Sequence, residues 1–253
     1  MSLRATLSIL SLSLLAGCVS SGALDPLASR QGRAQAGQAY VQLGLGYLQQ
    51  GMTQRAKIPL GQALALDPGN ADAHAALALV LQAQGEPEAA EGHFLKALAQ
   101  RPDDPKIRNN YGSFLYARGD FLQAEQMFRQ AAADTLYPER SQVHGNLGAT
   151  LLKLGRRQEA REQLERALAL DPYQPRALLG LAQWHFEDGQ PALASTFHQR
   201  FHQVAEPDAR SLLLGSRLAR ALGDRSDLAE QGQHLQRLYP GTPEYQQYLS
   251  EQR

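Results

Sequence analysis

Large apolar, small and polar residues recur along this chain in one fixed order. Residues 37–68 show it first: Leu43, Gly44 and Tyr47, a break at Gly51, then Ala56, Leu60 and Ala63, and a stop at Asp67-Pro68. The stretch AYVQLGLGYLQQ predicts a helix ended by Gly51, because glycine takes the left-handed conformation past a helix end without a Cβ penalty. TQRAKIPLGQALAL predicts a second helix, stopped by a proline that cannot continue it. Pro59 lies inside this second helix, which predicts a kink or a later helix start. The order then returns: Gly51, Gly85, Gly119, Gly155, Gly189 and Gly223 are 34, 34, 36, 34 and 34 residues apart. Ala56, Ala90, Ala124, Ala160 and Ala194 keep the same spacing, as do Pro68, Pro102, Pro172 and Pro240. A period near 34 is the mark of helix–turn–helix units stacked into a solenoid, an architecture that presents binding surfaces.

Position by position, the pattern in Leu43, Gly44, Tyr47, Ala56, Leu60, Ala63 and Pro68 resembles the tetratricopeptide repeat. The fold class expected is all-α: a superhelical solenoid of about six units over 37–242, closed by a capping helix over 243–253. Gly44, Ala78, Gly112, Gly148, Ala182 and Ser216 are small so that the two helices of a unit can meet, and the alanine column from 56 to 194 serves the same contact. Leu43, Leu77, Tyr111, Leu147 and Leu181 are expected to fill the space between units. Unit five departs, with His198 and Phe201 at sites where a large apolar residue and Ala are expected. Trp184, placed near the start of the first helix face of that unit, reads as a packing residue. Thr242-Pro243-Glu244 offers a cap, a proline at the first helical position and an acidic first turn for the closing helix.

Residues 1–17 are of another kind. Arg4 precedes the short apolar run Leu7–Leu15, too short for the roughly 20 residues that span a bilayer, so the segment reads as a signal peptide. It ends Leu15-Ala16-Gly17-Cys18, similar to a bacterial lipobox, and Cys18 is the only cysteine in the chain. Cys18 is therefore the expected lipid anchor, and residues 18–36 a tether that runs into the first helix. Val19, where Asp would commonly retain a lipoprotein in the inner membrane, points to the outer membrane.

Charge and motifs narrow the function. Lys+Arg and Asp+Glu are both 25, a balance that speaks against nucleic-acid binding. There is no GxSxG, GxxxxGK[ST], HExxH or CxxC, so no catalytic site, no cofactor and no small-molecule substrate is expected. His198 and His202 stand four apart on one helix face, but no third ligand accompanies them, so they read as a partly exposed pair rather than a metal site.

In the tetratricopeptide family the second, fifth, ninth and twelfth positions of each unit face a concave groove. Here they include Val41, Leu45 and Leu48 in unit one, Leu79 in unit two, and Asn109 and Tyr116 in unit three, with a more polar wall in units three and four. An exposed apolar strip in unit one marks an interaction site; the other reading is that segment 24–36 folds back over it. Chaperone-tail clamps of this family resemble Lys and Asn at the fifth and ninth positions, where Val41 and Leu45 stand here. The two-residue insertion within Asp134–Arg140 reads either as a longer turn or as a second contact anchored by Leu136 and Tyr137.

LAGC, AYVQLGLGYLQQG, NNYGSFLY, DTLYPERS, ARSLLLGSRLA and RLYPGTPEYQ together resemble the type IV pilus biogenesis and stability lipoproteins of the PilF/PilW group, the secretin pilotins. That resemblance implies a lipoprotein on the periplasmic face of the outer membrane. It would bind the pilus secretin subunit and promote its localisation and multimerisation, and so pilus biogenesis and twitching motility. The alternative is a periplasmic adaptor scaffolding cell-wall enzymes or outer-membrane barrel assembly.

Overall fold

The computed structural model describes residues 26–252. Cys18, Val19 and the signal segment lie outside them. Among the described residues there are thirteen α-helices and no strand, so the all-α solenoid expectation holds. After a 3-10 turn at Pro26–Ala28, six helix pairs follow: α1 (Arg30–Gln49) with α2 (Thr53–Leu66), α3 (Ala71–Ala83) with α4 (Pro87–Gln100), and α5 (Pro105–Arg118) with α6 (Phe121–Ala132). Then come α7 (Arg140–Lys153) with α8 (Arg157–Leu170), α9 (Pro175–Glu187) with α10 (Pro191–His202), and α11 (Ala209–Leu222) with α12 (Arg225–Leu238). A last helix, α13, spans Pro243–Glu251. Each pair packs internally and against its neighbours in order, as a stacked array does.

The six glycines of the beat are the positive-φ residues among those described, with φ between 72° and 88°. At each, the N–H of the following residue donates back into the helix just ended: Met52 to the Tyr47 carbonyl at 2.9 Å, Asp120 to Leu115 at 2.9 Å, Asp224 to Ala219 at 2.8 Å. This closure satisfies carbonyls that would otherwise be orphaned and reverses the chain tightly. In four of the five later pairs the first helix is started by a side chain: Asn70, Asp104, Gln174 and Asp208 each accept a backbone N–H one turn on, whereas α7 has no side-chain cap.

Packing follows the columns. The alanines at 56, 90, 124, 160 and 194 are fully buried. A Cβ on Gly148 would stand 2.6 Å from the Leu164 side chain and 3.2 Å from the Ala160 carbonyl, so this position must stay bare for the two helices to meet. Leu60, Phe94, Phe128 and Leu164 form the large column facing these small residues, and His198 continues it in unit five. One core cluster runs unbroken from Ala78 through Phe94, Phe114 and Phe128 to Ala160, across units two to four.

Four local expectations need correction. Leu43 does not fill an inter-unit space: it is 48% exposed, while Leu77, Tyr111, Leu147 and Leu181 are buried. Among the described residues no unit packs on the outer side of the first, so the site Leu43 would fill is open. Pro59 does not delay the start of α2, which is helical from Thr53 with Pro59 buried inside it, so of the two readings the later start is the one that falls. Trp184 stands near the end of α9, not its start; it is a packing residue, with Nε1 donating to the Arg157 carbonyl at 3.1 Å and the Arg161 guanidinium 5.0 Å from its ring centre. Finally, residues 30–36 do not fold back. They extend α1 by two turns, capped by Ser29, whose hydroxyl accepts the Gly32 N–H at 2.9 Å.

Candidate functional site

Two grooves run along the first helices of the units. The smaller, about 500 Å³, lies at units one to three and is lined by Gln38, Leu45, Ala75, Leu79 and Lys106 among others. Leu45 and Leu79 are half-buried and face it. Leu48, on the next turn of α1, is half-buried against the core of units one and two and lies outside this lining.

Two residues expected to be exposed are not. Val41 is 3% exposed and packs with Ala56, Leu60, Ala73 and Ala76, so only its edge meets the groove. Asn109 is 2% exposed, and its side-chain oxygen accepts from Asn146 Nδ2 at 2.9 Å. Both have the same physical cause. Tight stacking brings the fifth-position residue of one unit against its neighbour, where an apolar side chain packs and a polar one must find a partner. Asn109 and Asn146 therefore couple units three and four.

The larger groove, about 1100 Å³, spans units three to six and ends against α13. Tyr116, Leu152, Leu179 and Phe186 are half-buried along it. Residues 134–140 form part of its wall. The insertion is a built turn: Asp134 Oδ1 accepts the Leu136 N–H at 2.9 Å, and Arg140 Nε donates to the Ala132 carbonyl at 3.1 Å. Tyr137 turns inward, packs against the core and donates its hydroxyl to Glu139 at 2.8 Å. Burial, then this bond, holds the Tyr137 phenol well above its usual range. Leu136 points away, 89% exposed.

Arg176, the second residue of α9, is the unusual charge of the larger groove. Its guanidinium lies 5.5 Å from the centre of the Tyr116 ring. Burial pushes it below its ordinary value, against a smaller opposing pull from Tyr116. Among the described residues no carboxylate forms an ion pair with it. Arg210 and Arg217, from α11, line the same wall, but Arg210 pairs with Asp208 at 3.5 Å and Arg217 with Glu251. The repeat register that places the groove residues of units one to four holds for these positions too. Carried on to units five and six, it names Arg176, Leu179, Gln183 and Phe186, then Arg210, Leu213 and Arg217.

The histidines pack. His198 is 6% exposed, and its Nε2 lies 2.8 Å from the Ser211 carbonyl and 3.2 Å from His202 Nε2. The pair is thus only partly exposed at His202. Among the described residues no group of three or more His, Cys, Asp or Glu could hold a metal, and no helix is long and apolar enough to cross a membrane.

Comparison with known proteins places this geometry. Tetratricopeptide repeat family models match residues 103–172, and 47–112 with 151–213. The type IV pilus assembly protein PilF of Pseudomonas aeruginosa PAO1 is 45% identical over 251 residues, 99% of this chain and 100% of that protein. The solved structure of Pseudomonas aeruginosa PilF superposes with a TM-score of 0.75, covering 87% of this chain and 99% of the other. The crystal structure of PilW, described as a widely conserved type IV pilus biogenesis factor, is 31% identical with a TM-score of 0.72, covering 85% and 99%. Repeat architecture and identity over nearly the full length agree, and the chain belongs to the PilF/PilW family of tetratricopeptide repeat proteins.

Proposed function

We propose that this chain is a non-catalytic pilotin of type IV pilus biogenesis, anchored by lipid at Cys18 to the periplasmic face of the outer membrane. It binds the pilus secretin subunit and promotes its localisation and multimerisation. The observation that carries the reading is the 45% identity to a type IV pilus assembly protein over 99% of the chain. The lipobox LAGC supports the address, because two or more acyl chains anchor a protein firmly where one does not. The half-buried, groove-facing Leu45 and Leu79 support the client site, since an apolar strip in a concave wall suits an amphipathic segment.

The test is co-purification of the secretin, with its multimers followed in separated membranes, for the wild-type chain, Cys18→Ala and Leu45→Asp. Cys18→Ala should stay folded and bind secretin but leave multimers reduced in the outer membrane. Leu45→Asp should keep its helical circular dichroism and bind secretin roughly tenfold or more weakly, because a charge placed in an apolar contact must be desolvated. Normal outer-membrane multimers in Cys18→Ala would remove the anchor role. Recovery of cell-wall hydrolases or a barrel-assembly protein in place of the secretin would replace the pilotin reading with the general adaptor.

A further inference from the structure

Among the described residues, the larger groove contains a cation with no ion-pair partner: Asp208 acts on Arg176 only as a weak attraction from a distance. Arg176 is half-buried, and among the described residues it makes neither an ion pair nor a hydrogen bond; its one directed contact is the Tyr116 ring at 5.5 Å. The carboxylates nearby are committed or distant. Asp208 accepts the Ser211 N–H at 2.8 Å as the cap of α11 and pairs with Arg210. Glu187 pairs with Arg157 from the neighbouring unit, and Glu139 accepts from Tyr137. Asp171 accepts the Tyr173 N–H at 2.9 Å, and Glu206 and Glu244 line the groove without forming an ion pair with Arg176. A partly desolvated guanidinium without a carboxylate is a standing cost in the free protein, and it is relieved by an anion brought in from outside.

The surroundings say what carries that anion. Arg176 lies in unit five, in the interior of the groove, with Tyr116 and Leu152 of units three and four on one side and Leu213 of unit six on the other. An inorganic anion would leave these apolar surfaces wet. A chain terminus would fill one side only. A segment that passes through, with an acid in its middle, fills both.

We propose that the larger groove docks an extended protein segment bearing large apolar side chains on both sides of an aspartate or glutamate, whose carboxylate pairs with Arg176 beside the Tyr116 ring. This rests on the reading of the chain as a protein-binding adaptor, but not on the identity of its client. The site is separate from the unit-one groove of Leu45 and Leu79. Arg suits the role because its planar fork meets a carboxylate with two parallel bonds while its face stacks on an aromatic ring.

The test starts from a random peptide library displayed on phage, selected against the mature chain. The displayed peptides have no free C-terminus, so any acid recovered is a side chain. Enriched peptides, synthesised with amidated C-termini, are then titrated by fluorescence anisotropy. The expected result is one Asp or Glu flanked by Leu, Phe or Tyr. Affinity should fall at least about thirtyfold in Arg176→Gln, as for one partner of a desolvated charge pair. Replacing the peptide's acid by its amide should give the same loss, and combining the two should give little more. Arg176→Lys should retain part of the affinity, and Leu45→Asp all of it. Arg176→Gln should also unfold at the same temperature as wild type or above it, because no ion pair or hydrogen bond is lost and a partly desolvated charge is removed, which offsets the ring contact with Tyr116.

Failure to enrich any peptide, enrichment without an acid, or unchanged binding to Arg176→Gln would overturn the proposal. So would loss of the peptides in Leu45→Asp. Secretin capture is scored separately. Peptides that behave as expected alongside no captured secretin leave this site standing and remove the pilotin reading. The opposite outcome removes this site alone.

Discussion

In the column where units two to four place Phe94, Phe128 and Leu164, unit five places His198, also buried. A histidine there must find a partner, and it does so at the Ser211 carbonyl at 2.8 Å across the next unit boundary. Burial, the largest influence, lowers the His198 pKa below the ordinary histidine value, as it does for His93, His144 and His202. The sign for stability follows. Each group takes its proton more readily in the unfolded chain, so stability is fully present above the unfolded pKa, near 6.5, and is lost as pH falls through that value toward the folded one. Thermal stability should therefore fall as the pH is lowered from about 8 to 5.5. His198→Leu restores the column and removes one of the four contributions. It should be close to neutral at pH 8, where apolar burial offsets the lost bond of about 1 kcal/mol, and should recover a few degrees at pH 5.5, at about 2–4 °C per kcal/mol. Parallel pH profiles of the two proteins would show that His198 does not carry the effect. The departure of His198 from the repeat was legible from spacing alone. Its partner was not, because the contact depends on how unit six seats on unit five.

Helix α13 shows the same division at the next scale. Thr242-Pro243-Glu244 predicts its start, and Thr242 Oγ1 does accept the Tyr245 N–H at 3.3 Å while donating to the Tyr239 carbonyl at 2.8 Å. What it packs on could not be read locally. Tyr245 and Tyr248 lie against Leu212, Leu213 and Leu235, and Tyr248 takes the space that the bare Gly232 leaves. Glu251 returns to Arg217, 34 residues earlier, through a two-nitrogen contact with the closest approach at 2.5 Å. A chain ending at Gly241 should thus uncover an apolar end and unfold at least about 5 °C lower, given the roughly 1.5–3 kcal/mol carried by each large buried side chain. It should also associate at higher concentration, as exposed apolar patches do. Size-exclusion chromatography and a thermal scan check both, and an unchanged profile would mean that α13 is an appendage and not a cap. The grooves divide likewise. Leu45, Leu79 and Tyr116 were legible because family register names them, whereas Val41 and Asn109 were misread as exposed. Periodicity tells which side of a helix a residue is on, but not how closely the next helix approaches.

Over the whole molecule the stack is uneven, and this has a measurable consequence. The largest continuous core joins units two to four, and polar ties reinforce the boundary where the insertion falls. Arg156 meets both oxygens of Glu125 at 2.6 and 2.7 Å, Glu159 joins Arg156 to Arg129, and Asn146 reaches Asn109 at 2.9 Å. The insertion therefore lengthens a turn without parting the units on either side of it. Toward the ends the reinforcement thins. Unit one leaves Leu43 exposed on its outer side, and units five and six hold smaller, separate clusters with His198 and Phe201 in place of the regular pair. In a linear array each unit is stabilised mainly by its neighbours, so opening proceeds from the weaker ends. Amide hydrogen exchange followed by mass spectrometry should show the slowest exchange in α5 to α7 and faster exchange in α1 and in α11 to α13. Glu125→Gln should quicken exchange on both sides of the unit three–four boundary, since it leaves Arg156 without its most buried partner, and should leave α11 to α13 unchanged. Uniform protection along the chain would instead mean that the six units open as one, and that the continuous core of units two to four does not set the order in which the stack comes apart.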